Sequence, residues 1–176
     1  MGAEHVWRRF DHEKFDYGPK VSEEELLKVE ALVQSAVDAG CKVLTGGRRP
    51  TGDGFAKGYW YEPTVLSSVS NDMDIMQKEI FGPVVPVMSV GDFEEALSLA
   101  NDSEYGLSAF LFTRDVRRIM SAVDRLEFGE IYVNRPMGEL RQGFHTGWKM
   151  SGLGGEDGKY GIDNYLQKKT VYLDYS

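Results

Sequence analysis

The chain has 176 residues, of which 41% are hydrophobic and 27% are charged, a composition typical of a folded globular protein. Its formal net charge of −8 is unfavourable for binding nucleic acid or an anionic membrane surface, because both need clustered Lys and Arg. A single cysteine excludes an internal disulfide and a cysteine-based metal cluster, and no apolar segment resembles a membrane span or a signal peptide. We therefore expect a cytoplasmic protein without a metal site.

The first 15 residues predict an N-terminal arm. Trp7, Phe10 and Phe15 alternate there with charged residues and follow no regular period. His5 and His12 lie in the same arm without the carboxylate pattern typical of metal ligands, so we expect both to be solvated.

The first helix is predicted between Ser22 and Gly40. Ser22 and Glu25 have the spacing of a capping box, and Gly40 occupies the position of a C-terminal cap. One face carries apolar residues at helical spacing, namely Leu26, Val29, Val33, Ala36 and Val37. A strand over 42–45, a turn-rich loop over 46–58 and an extended segment over 59–69 are expected next.

Strands and helices are predicted to alternate through the middle of the chain. The apolar run 84–90 is typical of a strand buried on both faces, although Pro86 is unfavourable in a central strand. Asp92 with Glu95 predicts the cap of the next helix, and Thr113 the cap of the one after it. The expected apolar stripe of that second helix is Val116, Ile119, Met120 and Val123.

Two further strands, over 107–112 and 131–133, complete an order of strand–helix–strand–helix–strand. This order favours a parallel sheet with right-handed crossovers. Beyond it, residues 137–159 are rich in glycine and have no period, which is typical of a functional loop. A short helix over 161–167 and a strand over 170–175 are expected to follow. Segment 152–158 does not fit a dinucleotide fingerprint, since Asp157 replaces its last glycine.

Few residues offer chemistry from the sequence alone. Cys41 follows a helix end, without a helix N-terminus or a neighbouring base to activate its thiol, and is predicted to be a small buried hydrophobe. His145 lies in the glycine-rich loop and is interpreted, from the residues alone, as a surface histidine. Glu79 and Phe81 precede the bend at Gly82 and are either structural or presented at a cleft.

The segment Glu79-Ile80-Phe81-Gly82-Pro83 resembles the signature of the NAD(P)-dependent aldehyde dehydrogenase superfamily. Other motifs follow the order found in that family, among them Gly18-Pro19, Ala100-Asn101, Val133-Asn134 and Gly147-Trp148-Lys149-Met150-Ser151-Gly152. The resemblance covers about residues 16–175. Within that superfamily, the loop around His145 is most similar to the branch of lactaldehyde and glycolaldehyde dehydrogenases.

This resemblance implies an α/β fold, with an incomplete parallel sheet flanked by helices. A partial catalytic domain would cover residues 16–169, and an oligomerisation strand would cover 170–176. NAD(P) is the implied cofactor. By resemblance, Glu79 would bond to the nicotinamide ribose hydroxyls, Phe81 would pack near the nicotinamide ring, and Asn134 would be a structural residue near the catalytic centre.

The same resemblance implies a substrate pocket. Glu139 and His145 match the polar pair with which this branch holds a small hydroxyaldehyde, and Phe144 would wall that pocket. The family's nucleophilic cysteine, general-base glutamate, oxyanion-hole asparagine and dinucleotide-binding fold all precede the matched region. No catalytic residue is therefore assigned in this sequence.

We accordingly expect a C-terminal fragment, from a truncated or split gene, that is inactive alone and does not itself hold NAD(P) firmly. An N-terminal half supplied in trans would be its partner in catalysis. The alternative is a non-catalytic scaffold or regulatory module derived from that enzyme. In both cases we expect a homo-oligomer that binds neither nucleic acid nor membranes. A third alternative is a new enzyme that uses His145 or Glu139.

Overall fold

The computed structural model describes residues 17–176, which divide into two units, 17–89 and 90–176. The predicted arm 1–15, with its three aromatic residues and with His5 and His12, lies outside the described residues. The boundary between the units falls inside the predicted domain 16–169, which stays a prediction. Within 17–176, every helix is too short or too polar to cross a membrane.

The first unit packs one long helix against a three-stranded sheet. Helix α1 (Glu23–Asp38) begins as predicted, because the Ser22 hydroxyl accepts a hydrogen bond from the backbone N–H of Glu25 at 3.3 Å. The sheet has the order β1 (Lys42–Thr45), β2 (Thr64–Ser67) and β3 (Val84–Val87). Strand β1 is antiparallel to β2, whereas β2 and β3 are parallel and joined through α2 (Asp74–Gln77). A single 3₁₀ turn, Asp53–Phe55, interrupts the loop after β1.

The core of this unit lies between α1 and the sheet. Its buried residues are Leu26, Val29, Val33, Ala36, Cys41, Tyr61, Leu66, Val69, Ile75 and Val84. The prediction for Cys41 is confirmed, since its thiol is buried and lies 3.4 Å from the sulfur of Met73. The prediction that the third strand is buried on both faces is wrong. Val85 and Val87 are exposed, because they share the face of β3 opposite to buried Val84, and only the face of Val84 packs into the core. Strand β3 is also an edge of the sheet, which accommodates Pro86.

The second unit consists of three helices and several short strands. Its elements are α3 (Phe93–Asn101), β4 (Tyr105–Gly106), β5 (Ser108–Leu111), α4 (Val116–Arg125), β6 (Glu130–Val133), β7 (His145–Thr146), β8 (Trp148–Lys149), β9 (Gly155–Glu156) and α5 (Gly158–Asn164). Strands β5 and β6 are parallel and joined through α4, as predicted. The pairs β4–β8 and β7–β9 are antiparallel. The α/β class is thus confirmed, with parallel pairing inside each unit.

The helix starts of this unit match the predictions only in part. Asp92 caps α3 as predicted, accepting from the N–H of Glu95 at 2.9 Å. Thr113 is wrong as the cap of α4, because the carboxylate of Asp115 accepts from the backbone N–H groups of Arg117 and Arg118 in the first turn. The Thr113 hydroxyl instead accepts from the backbone N–H of Asp115 at 3.2 Å.

The apolar stripe predicted for α4 is not its buried face. Val116, Met120 and Val123 are 68%, 62% and 49% exposed. The helix instead packs through Ala122, which joins a small buried cluster with Leu97 and Leu126. The buried core of the second unit is therefore small.

The end of the chain differs from its prediction. Helix α5 begins and ends three residues before the predicted 161–167. Residues 166–176 form neither helix nor strand in the single chain, and the oligomerisation strand over 170–175, which would pair with a neighbouring subunit, stays a prediction. Tyr172 and Tyr175 in this segment are 93% and 91% exposed.

Candidate functional site

A histidine lies between two carboxylates in the second unit. Nδ1 of His145 is 3.2 Å from Oε1 of Glu130 and 3.7 Å from Oε1 of Glu139. Glu130 begins β6, His145 begins β7, and Glu139 lies in the segment that joins them. We call these three residues the Glu–His cluster.

Glycines allow the backbone to form this cluster. A Cβ atom on Gly129 would lie 1.7 Å from the carbonyl oxygen of Thr146, so only glycine permits β7 to approach the start of β6 this closely. On the other side of β7, a Cβ on Gly155 would lie 2.2 Å from the carbonyl oxygen of His145. The position of His145 therefore depends on two close backbone contacts.

The electrostatics of the cluster favour a protonated histidine. The neighbouring carboxylate of Glu130 raises the pKa of His145 above its usual value, desolvation opposes this, and Glu139 and Asp157 add to the increase. Nδ1 is inaccessible to solvent, and its N–H does not point straight at Glu130. The contact is therefore an ion pair rather than an aligned hydrogen bond.

A tyrosine completes the environment of Glu130. The hydroxyl of Tyr132 donates to Oε2 of Glu130 at 3.1 Å. Burial raises the pKa of Tyr132, and its hydrogen bond to Glu130 adds to the increase. Each carboxylate oxygen of Glu130 thus has a neighbour, His145 at one and Tyr132 at the other.

Phe144 lies next to the cluster in sequence and packs against α5. Its ring centroid is 4.8 Å from that of Tyr160, and the residue is 39% exposed. An open pocket of about 330 Å³ borders His145 on the side of the glycine-rich loop 151–156. The cluster and the pocket together could bind a small polar molecule.

The Glu–His cluster offers one donor atom from each residue within 4.8 Å of the others, a spacing that a cation could use. The attraction between the histidine and the two carboxylates already accounts for this spacing. Glu139 is also 42% exposed in its side chain, as is common for surface carboxylates. We therefore assign no metal to it.

Glu79 and Phe81 lie in the first unit, on the loop before β3. Phe81 has a positive φ of 49°, its ring is exposed, and its carbonyl oxygen accepts a hydrogen bond from the ammonium group of Lys20. A Cβ on Gly82 would lie 2.7 Å from a methyl group of Val29, so glycine lets the loop lie against α1. These contacts hold Phe81 with its ring directed away from the core.

This loop borders a cleft of about 570 Å³, which is lined by residues before α1 and by the loop itself, namely Tyr17, Pro19, Lys20, Val21, Phe81, Gly82 and Pro83. An aromatic ring can pack against a flat heterocycle, and a carboxylate can accept hydrogen bonds from ribose hydroxyls. Since Glu79 and Phe81 are both exposed, the loop offers groups that suit part of a nucleotide cofactor.

The structure brings together some of the residues that the sequence proposes. Glu139 and His145 meet, and Phe144 is adjacent to them. Glu130 and Tyr132 were not expected in this cluster. The alternation of β6 gave one signal, because residues two apart in a strand share a face. No pattern in the sequence indicates that the chain comes back at β7 to place His145 beside Glu130.

Asn134 makes structural contacts at the end of β6. Its amide oxygen accepts from the N–H of Thr113 at 2.9 Å, and its amide nitrogen donates to the carbonyl oxygen of Thr113 at 2.7 Å. The side chain therefore links the ends of β5 and β6. Its predicted proximity to a catalytic centre stays a prediction.

Comparison with known proteins shows one family over almost the whole sequence. Residues 6–171 match the family described as the aldehyde dehydrogenase family. A 3,6-anhydro-alpha-L-galactose dehydrogenase of Vibrio sp. (strain EJY3) is 51% identical over 91% of this chain and 33% of its own length. The lactaldehyde dehydrogenase of Escherichia coli is 46% identical over 89% of this chain and 32% of its own.

Solved structures agree with these relatives. A 3,6-anhydro-L-galactose dehydrogenase in complex with NAP superimposes with a TM-score of 0.92 at 48% identity, over 98% of this chain and 36% of the other. This chain thus spans about a third of the length of the proteins that it matches. The expected lactaldehyde branch is not singled out, because anhydrogalactose and lactaldehyde dehydrogenases both match closely.

Proposed function

The chain belongs to the aldehyde dehydrogenase family, and from this premise we propose that it is the C-terminal part of an enzyme that oxidises a small hydroxyaldehyde with NAD(P). The Glu–His cluster carries this proposal. Glu139 and His145, to which the family resemblance gives a role in hydroxyaldehyde binding, lie 3.7 Å apart. The names of two relatives support the same substrate class, since lactaldehyde and 3,6-anhydrogalactose both carry hydroxyl groups.

The chemistry of this pair suits a hydroxyl group. A protonated imidazole donates a hydrogen bond and a carboxylate accepts one, whereas a hydroxyl group can do both at once. A substrate hydroxyl can therefore bind His145 and Glu139 together. An aldehyde without that hydroxyl would cover these polar groups without offering them a hydrogen bond, which disfavours its binding.

We assign the cofactor contact to the loop before β3. Glu79 would accept hydrogen bonds from the ribose hydroxyls, and the exposed ring of Phe81 would pack near the nicotinamide. NAD(P), when bound, supplies the hydride acceptor for the oxidation. Lys20 bonds to the Phe81 carbonyl, and Gly82 lets the loop lie against α1, so these two residues would keep Phe81 in place.

The nucleophile of the reaction is not proposed to come from this chain. Cys41 is its only cysteine and is 6% exposed within the core of the first unit. A thiol in such a position cannot reach an aldehyde without unfolding of its surroundings. We therefore expect no aldehyde oxidation by the chain alone, and activity only with the upstream part of such an enzyme.

A chimera tests this proposal. Residues 17–176 would replace the matching third of the Vibrio sp. relative, and NAD(P)H formation would be measured with lactaldehyde and propionaldehyde. We expect activity with a preference for lactaldehyde, and at least about a tenfold loss of that preference in Glu139→Gln and His145→Asn. Glu24→Gln, on the exposed face of α1, is the matched control. A soluble chimera whose preference survives both site variants contradicts the proposal.

The exposed end of the chain favours a second, non-catalytic candidate. Tyr172, Leu173 and Tyr175 expose large apolar groups, which favours pairing of segment 170–175 with another copy. The chain would then be a self-associating scaffold. Sedimentation of the full chain and of a variant with serine at these three positions tests this. A wild-type chain that stays monomeric at high concentration rules it out.

A further inference from the structure

Glu130 is the least exposed residue of the Glu–His cluster. Its side chain is 16% exposed, against 30% for His145 and 42% for Glu139. One carboxylate oxygen faces Nδ1 of His145 and the other accepts from the Tyr132 hydroxyl. Both oxygens are therefore engaged inside the protein.

We propose that Glu130 is a positioning residue, whose carboxylate holds the His145 imidazole by Nδ1 and thereby leaves Nε2 to meet a hydroxyl group of the aldehyde. This inference rests on the proposed function of the cluster. It separates the two carboxylates by role: Glu130 orients the histidine, and Glu139 meets the substrate.

Exposure and distance support this separation. A partly buried carboxylate is stable where its oxygens have partners, and Glu130 has two. Glu139 is more exposed and lies 0.5 Å farther from Nδ1, at 3.7 Å against 3.2 Å. It can therefore turn to a ligand while Glu130 keeps the ring in place.

The orientation of the ring decides which nitrogen is available. The partner of one imidazole nitrogen fixes the chemistry of the other. Because Nδ1 is inaccessible to solvent and faces Glu130, the exposed part of the ring includes the other ring atoms only. A protonated ring held in this way offers Nε2–H to an acceptor oxygen.

Other charged groups surround the histidine. Glu156 is its partner residue across β7–β9, Asp157 follows Glu156, and Arg135 lies 5.9 Å from the ring of Tyr132. Of the acidic groups, Asp157 favours a positive charge on His145, as Glu130 and Glu139 do. The contribution of Glu130 must therefore be measured against a matched removal of another carboxylate.

The first experiment is an NMR titration of the imidazole protons in the full 176-residue chain. His145 is assigned by the signal that disappears in His145→Asn. We expect Glu130→Gln to lower the pKa of His145, and to do so by more than Glu139→Gln, with both variants retaining the wild-type amide spectrum elsewhere. An equal or larger decrease in Glu139→Gln, or no decrease in Glu130→Gln, overturns the proposal.

The second experiment measures the consequence for substrate binding in the chimera described above. We expect Glu130→Gln to raise KM for lactaldehyde severalfold, with a smaller change in kcat and an unchanged KM for propionaldehyde. Tyr132→Phe should act in the same direction and less strongly. A merely structural role would alter both aldehydes alike.

The outcomes distinguish the two proposals. If His145→Asn changes the ratio of the two KM values and Glu130→Gln does not, the positioning role is wrong and the proposed function survives. If neither variant changes that ratio, the cluster does not bind the substrate hydroxyl. The proposed function then fails, and the positioning role fails with it, whatever the titration shows.

Discussion

In the unit that ends at residue 89, ten buried residues, four of them on α1, form one core. In the unit that follows, which has more described residues, the buried cluster has only three members, and the apolar stripe of α4 is exposed. The second unit relies more on close backbone contacts and on side chains that bond to the backbone. Lys149, for example, donates to the carbonyl oxygens of Asn101 and Ser103.

This contrast suggests a division of physical roles. Apolar burial is tolerant of small shifts, whereas a glycine contact at the van der Waals limit fixes two backbones relative to each other. The Glu–His cluster lies where such contacts are densest. Its geometry should therefore respond to backbone changes more than to changes of apolar side chains.

The largest expected effect compares helix residues of similar size. Leu26→Ala, on α1, removes a side chain that is 1% exposed and should lower the free energy of unfolding by about 2–5 kcal/mol. Met120→Ala, on α4, removes one that is 62% exposed and should change it by no more than about 0.5 kcal/mol. Urea titrations followed by NMR peaks of each unit measure both. Equal losses of unfolding free energy in the two variants would contradict the proposed difference between the units.

A smaller effect is expected from a glycine of the second unit. Gly129→Ala would place a methyl group against the carbonyl oxygen of Thr146 and should lower stability by about 1–3 kcal/mol. It should also separate His145 from Glu130, and so lower the pKa of the histidine. Gly54→Ala is the matched control, because its Cβ would have open space. The same NMR titrations, with pH and with urea, show whether both changes occur together.

The smallest effect concerns pH, and its sign should differ between the units. The hydrogen bond from Arg49 lowers the pKa of Glu30 below its ordinary value of 4.5. The stability that this pair contributes is present above pH 4.5 and lost as pH falls through the lowered pKa. Glu130 raises the pKa of His145 above 6.5, so that pair contributes fully below pH 6.5 and loses its effect as pH rises through the raised pKa.

Each of these pairs is partly exposed, so we expect less than about 1 kcal/mol from either. Urea titrations across pH, compared with Glu30→Gln and His145→Asn, provide the measurement. Each variant should flatten the pH dependence of its own unit alone. A change of the same sign in both units would contradict the assignment of these two groups.

Local signals predicted the first unit well. The cap at Ser22, the stripe on α1 and the strand over 42–45 depend on neighbouring residues, and all are confirmed. The exposure of one face of β3 could not be predicted, because an apolar run does not show whether one face or both will be covered. Its edge position is a separate feature. Pro86 was the one residue that indicated the edge.

Two features of the second unit, the cap of α4 and its buried face, could not be predicted from the sequence. Thr113 and Asp115 both have side chains that can cap α4, and Asp115 lies two residues closer along the chain to the free N–H groups. The stripe on α4 predicts an apolar face, but its periodicity does not say whether that face is covered. Glu139 and His145 were predicted from the family resemblance. Glu130 could not be predicted, because its contact with His145 depends on the path of a loop that has no periodic pattern.

The buried position of Cys41 makes the contrast between the units measurable in another way. It is the only thiol of the chain, and it lies beside Met73 within the core of the first unit. Its rate of alkylation therefore reports transient opening of that core and is silent about the second unit. The rate at which a thiol reagent modifies the wild-type protein therefore measures how often the first unit opens, without an engineered label.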